Sequence, residues 1–200
     1  MKFQIIAGEP AVDFVNTLDN RPVPQQITEL LNNYVDLVDW AAQAEVISAA
    51  QRAQLLEAAS KKGKAATRAL NRAVELRECL FRIFSSVVAG AKPGERDLPT
   101  FNGYLAEANS HLQLKTWGKG FRLAWAEEQE APLDSVLWPI ARSASELLTS
   151  DDLQYLRECD DDTCRWMFVD RSKNHSRRWC DMKVCGNRVK ARKFYRRQHA

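Results

Sequence analysis

The sequence predicts an α+β chain. A mostly helical N-terminal domain with one β-hairpin, residues 1–150, precedes a small C-terminal hairpin-plus-helix unit, residues 151–200. Three observations predict this. Apolar residues recur at helical spacing through most of the first 150 positions. Residues 112–117 and 121–125 alternate on either side of Gly118-Lys119-Gly120, which marks a hairpin. Cys159, Cys164, Cys180 and Cys185 crowd into the final stretch as two pairs around a short insert.

Taken in order, residues 2–7 alternate weakly and read as a short strand. Pro10 opens a helix in which Val12, Val15 and Leu18 recur at helical spacing, and proline suits a first helical turn. Residues 20–26, with two prolines, read as a loop. Residues 34–44 form a helix with Leu37, Val38 and Trp40 on its apolar face. Ser48 and Gln51 make a capping box for a helix through about Ser60, which Gly63 ends. The longest helix spans residues 64–89. Leu70, Val74, Arg77, Phe81, Phe84 and Val88 follow its period, and Gly90 stops it. A loop covers 91–99 and a helix 100–110. Residues 133–149 are helical, with Pro139 kinking the helix or starting its main part. Ser150 caps a short helix, 151–157.

Composition bounds the function. The chain has 200 residues, enough for one or two domains, and no apolar run approaches the roughly 20 residues of a membrane span. The N-terminus lacks the apolar stretch of a secretory signal, so a cytoplasmic location is expected. Reduced cysteine pairs there hold metal more often than they form disulfides. The net charge of +3 hides an asymmetry. Residues 165–200 hold 12 Lys+Arg against 2 Asp+Glu, a balance of +10. The first 164 residues hold the other 17 against 24, a balance of −7. A basic tail on an acidic body suggests a polyanionic partner.

The cysteine spacing fits one structural Zn2+ held by Cys159, Cys164, Cys180 and Cys185, since four thiolates satisfy a tetrahedral ion. The four-residue inner spacings are wider than the usual two. Within the insert, 166–169 reads as a strand, 172–175 as its turn, and 177–179 as the returning strand. A hairpin followed by a helix, with ligands at both ends, is treble-clef-like. The last pair leads into a helix over about 187–198. With Arg188 at 0°, Arg192 falls at about 40°, Arg196 at 80°, Lys193 at 140°, Arg197 at 180° and Lys190 at 200°. Ala191, Phe194 and Tyr195 fall between about 240° and 340°, a stripe expected to pack on the hairpin. Arg188, Lys190, Arg192, Lys193, Arg196 and Arg197 are therefore the candidate nucleic-acid contacts, with Arg177 and Arg178 added from the hairpin. Asn187 is placed to cap the helix. Arg177, Arg178 and Lys183 are also placed to offset the charge of the metal thiolates.

Residues 177–192, Arg-Arg-Trp-Cys-Asp-Met-Lys-Val-Cys-Gly-Asn-Arg-Val-Lys-Ala-Arg, resemble the signature of the CGNR zinc-finger family. Residues 166–174 fit that family's strand and turn. Residues 8–17, Gly-Glu-Pro-Ala-Val-Asp-Phe-Val-Asn-Thr, and 141–150 resemble its companion ABATE domain. The resemblance covers nearly the whole chain. It implies a stress-induced transcription regulator with a DNA-binding finger. In such a regulator the body is expected to sense a small-molecule effector or to pair two copies as a homodimer.

Three function classes remain open. A zinc-dependent DNA-binding regulator leads. An RNA-binding protein would use Trp166, Phe168, Trp179 and Tyr195 to stack on bases. A redox or metal sensor would act through the four-cysteine zinc site. An enzyme is not expected, because four thiolates close a zinc site, and the body shows no phosphate loop or catalytic triad pattern. A ligand pocket in the body would lie near Asp13, Asn16 and Arg21.

Overall fold

The computed structural model describes residues 3–126 and 132–198. The chain starts without the expected strand: Lys2 lies outside the described residues, and residues 3–7 are irregular. Helix α1, Pro10–Val15, begins with Pro10 as expected but stops before Leu18. Leu18–Asp19 instead forms strand β1, paired antiparallel with β2, Thr28–Glu29. Helix α2, Tyr34–Gln43, is capped by the Asn33 side chain, which accepts from the Asp36 N–H.

Helix α3, Ala49–Lys61, carries the complete Ser48/Gln51 capping box. Gly63 does not end a helix but opens the next one, α4, Gly63–Val88. This longest helix buries Ala66, Ala69, Ala73, Leu76, Leu80 and Ile83. The expected stripe, Leu70 to Val88, lies one position round the helix. Of it, Arg77 and Phe84 are fully buried, and Val88 is exposed. Small alanines let neighbouring helices approach closely, so the deepest stripe is not the one with the largest side chains. Gly90 closes the helix at φ 65°, a left-handed conformation that glycine adopts without penalty. Cys79 on α4 is fully buried.

Helix α5, Asp97–Ser110, starts three residues earlier than expected. Strands β3, Leu112–Trp117, and β4, Gly120–Trp125, form the predicted hairpin in register from Leu112 opposite Trp125 to Trp117 opposite Gly120. A 3-10 turn over Leu133–Val136 leads into α6, Leu137–Leu148, where Pro139 sits in the first turn and leaves the helix unbroken. Residues Asp151–Tyr155 are a 3-10 turn rather than a longer helix, and Ser150 does not cap it. The Ser150 hydroxyl donates backward to the Leu147 carbonyl.

The C-terminal unit pairs its strands differently from the sequence expectation. Strand β6, Met167–Val169, is antiparallel to β5, Leu156–Glu158, upstream of the first cysteine. Residues 177–179 form no strand. They run beside the Cys159–Cys164 loop, where the Asp160 N–H donates to the Arg178 carbonyl at 2.9 Å. Helix α7, Asn187–Gln198, ends the described chain.

One core joins both halves. Met167, Phe168 and Val169 are buried in the same apolar cluster as α1 and α4. Asn16, itself buried, clamps β6: its Nδ2 donates to the Met167 carbonyl at 2.8 Å, and its Oδ1 accepts the Met167 N–H at 2.9 Å. The Val169 N–H donates to the Ala7 carbonyl at 2.9 Å. Arg171 donates to the Gly8 carbonyl and pairs with Glu9 and Asp152. Among the described residues no helix is long and apolar enough to cross a membrane.

Candidate metal centre and basic helix

The hairpin β5–β6 sets the first ligand pair. Cys159 and Cys164 lie in its connecting loop, closed by the Cys159 N–H donating to the Trp166 carbonyl at 2.8 Å. Arg165 completes the turn at φ 58° and pairs with Glu158 at 2.7 Å. In the second pair, Cys180 precedes a wide helical turn over Met182–Gly186 and Cys185 lies within it. Asp181 caps that turn, its Oδ1 accepting from the Lys183 and Val184 N–H groups. Gly186 lies close under its neighbours: a Cβ there would stand 2.5 Å from the Met182 sulfur and 3.3 Å from the Trp179 ring, so Met182 would have to swing away to admit one. Asn187 is the first helical residue of α7 rather than its cap, and its Nδ2 donates back to the Lys183 carbonyl at 3.0 Å.

The four Sγ atoms lie within 4.8 Å of one another, all buried. Cys164–Cys180 and Cys180–Cys185 are 3.6 and 3.5 Å apart. A tetrahedral ion with Zn–S bonds of about 2.3 Å needs sulfurs about 3.8 Å apart, so the cluster is the right size for zinc. The chemistry agrees. Hydrogen bonds from the Cys164 and Cys180 thiols lower the Cys159 thiol, and the same contact with Cys159 raises Cys164. Four thiols this close ionise together only around a cation. The Trp166 backbone N–H donates to Cys164 Sγ at 3.5 Å, and the Arg188 guanidinium, its Nη2 3.1 Å from Cys185 Sγ, brings positive charge to the cluster. Arg188, which the sequence did not single out for this role, is the cation in direct contact with a thiol sulfur. His175 is no ligand. Its Nδ1 lies 2.7 Å from the Asp170 carbonyl and its ring stacks on Tyr155.

The basic candidates separate into three groups. Arg177 is turned inward: it donates to the Trp179 and Cys180 carbonyls and lies over the Phe168 ring, which removes it from the nucleic-acid contacts. Arg188 and Arg192 dock α7, donating to opposite oxygens of Asp161 at 2.7 and 2.6 Å. Lys190, Lys193, Arg196 and Arg197 are exposed. Arg178 is exposed and paired with Asp160 at 2.6 Å.

Asp161 is the residue that sequence reasoning missed. Its carboxylate is fully buried. Burial works against its charge, but hydrogen bonds from Arg192 and Thr163 hold it down at about 2. One acid among Asp160, Asp161 and Asp162 carries no local signal that it, and not its neighbours, faces inward.

The expected apolar stripe of α7 is also overturned. Phe194 and Tyr195 are 64% and 65% exposed, and no residue of α7 is buried. The helix is held instead by Arg188 and Arg192 on Asp161. Trp166 and Phe168 are buried and Trp179 half-buried, so of the four aromatics expected to stack on bases only Tyr195 stands in solvent.

Of Asp13, Asn16 and Arg21, only Asp13 lines a cavity among the described residues, one of about 340 Å3 that it shares with Ile5, Ile6 and Ala44. Asp13 accepts the Ile6 and Ala7 N–H groups at 2.8 and 2.9 Å, and burial pushes it up to about 6. Asn16 is committed to Met167. Arg21 pairs with Glu78 at 2.7 Å and lies over the Phe81 ring.

Family comparison agrees with this arrangement. Residues 8–151 match the ABATE model, described as "Putative stress-induced transcription regulator", and residues 155–198 match the CGNR zinc finger. No curated protein matches the chain.

Proposed function

The chain belongs to the ABATE family of transcription regulators and ends in a CGNR zinc finger, and on that footing we propose that it binds DNA through α7. The observation that carries this reading is the charge of α7. It holds Arg188, Lys190, Arg192, Lys193, Arg196 and Arg197 and no acid. Among the described residues only Arg188 and Arg192 are matched by an acid, both by Asp161. Exposed like charges repel, and a polyanion relieves that repulsion. In this reading zinc does no chemistry. It supplies the staple that holds the 159–164 loop, and with it Asp161, under the helix. Residues 8–151 then carry the sensing or pairing role of the regulator.

Fluorescence anisotropy of a labelled duplex, titrated at several salt concentrations, tests the proposal. Log affinity falls with log salt with a slope of about −0.9 per phosphate neutralised. Replacing Lys190, Lys193, Arg196 and Arg197 together by alanine should weaken binding and flatten that slope by about 2 to 4. Absence of binding at low salt, with one zinc per chain confirmed, would overturn it.

A second reading takes single-stranded DNA or RNA as partner. Exposed Phe194 and Tyr195 among cations favour it, since bases stack on such side chains. Competition of unlabelled duplex, single-stranded DNA and RNA against the labelled duplex separates the two.

A further inference from the structure

Away from the finger, α3, the hairpin β3–β4 and α6 enclose a groove of about 820 Å3. Small-molecule sites fall in this size range. Leu55 and two indoles, Trp125 and Trp138, line it. The indole rings lie 5.9 Å apart at 52°, forming a corner rather than a closed stack. Trp138 is 4% exposed, and its buried Nε1–H finds no acceptor among the described residues. Such an orphaned donor is uncommon in folded proteins. Arg122 and Arg142 also line the groove. Arg142 is paired with Glu146 at 2.7 Å. Arg122 has no carboxylate partner among the described residues, and its guanidinium lies over the Trp117 ring at 3.6 Å. The nucleic-acid reading uses none of these groups.

We propose that this groove binds a small organic anion with an aromatic body. The rings rest in the Trp125–Trp138 corner, and the acidic group pairs with Arg122. A neutral aromatic molecule would leave Arg122 unmatched. An inorganic anion would leave the apolar corner in water. The site stands whether or not α7 binds nucleic acid.

The test uses the zinc-loaded full chain labelled with nitrogen-15 and titrated with 1-naphthoate. The indole N–H resonances of the six tryptophans are followed. Saturable shifts are expected for Trp125 and Trp138, with Trp166 and Trp179 unmoved. The neutral 1-naphthamide should bind at least about tenfold more weakly, and Arg122→Ala should lose about the same factor for naphthoate. Gln54 is exposed and lines the groove, so Gln54→Trp fills the space without disturbing the core and should abolish the shifts. Any of three results overturns the proposal: no saturable shift up to about 1 mM, equal affinity for acid and amide, or an unchanged response in Gln54→Trp.

Discussion

Asp161, fully buried in the loop between two cysteine ligands, holds Arg188 and Arg192 of the last helix with its two oxygens, 2.7 and 2.6 Å away. The contact fixes the position of α7 relative to the metal cluster. Asp161→Asn should leave one zinc per chain but cost about 1–3 kcal/mol, less than a fully buried pair because both arginines are about a third exposed. Hydrogen exchange provides the direct readout. The α7 amides should exchange at least about tenfold faster, whereas unchanged protection would show that the arginines do not anchor the helix.

Asn16→Ala removes both bonds to the Met167 backbone and leaves a buried N–H and C=O unpaired. The expected loss is about 2–4 kcal/mol in urea unfolding. Asn16→Asp should fare no better, because a carboxylate cannot donate to the Met167 carbonyl. A loss below about 0.5 kcal/mol would mean that the clamp contributes little.

Zinc removal should destabilise the whole chain. β6 belongs to the core shared with α1 and α4, so finger and body should unfold together. Calorimetry is expected to give one transition, lowered by at least about 10 °C after chelation. A body transition that stays in place while a separate finger transition disappears would contradict the shared core. Cys185→Ser should reproduce the effect of chelation.

Asp13 should make stability fall as pH rises. Its folded value, about 6, lies above the ordinary 3.8 because burial disfavours the carboxylate. Between about pH 4 and 6 the folded state therefore holds the proton more tightly, and that advantage is lost as pH passes the folded value. Asp13→Asn removes this contribution. The stability difference between variant and wild type should change by about 2–3 kcal/mol in the variant's favour from pH 4 to pH 7. A pH-independent difference would show that Asp13 does not titrate in this range.

The elements legible in advance were those whose signals lie within a few residues. Ser48 and Gln51 bond to each other's backbone, Gly90 supplies a left-handed stop, and Gly118 at φ 56° supplies the hairpin turn. The cysteine cluster was legible because thiolate chemistry narrows the choice of partner. The strand partner of β6 was not. Residues 156–158 and 177–179 lie at similar distances in sequence on either side of β6, and the packing of β5, with its buried Leu156, against α4 favours the first. The α7 orientation failed for the same reason: the angular sorting identified two faces, but which one turned inward depended on Asp161.

Local chemistry was enough for the helical body, the hairpin, the four-cysteine site and the charge of the tail, because propensity, capping and metal affinity act over short stretches of chain. Packing decided the rest: the union of finger and body through Asn16, the inward turn of Arg177, the docking of α7 by Asp161, and the groove beside Trp138. Each depends on which distant groups compete for the same buried space and the same hydrogen bonds, and that competition is settled only when the whole core closes.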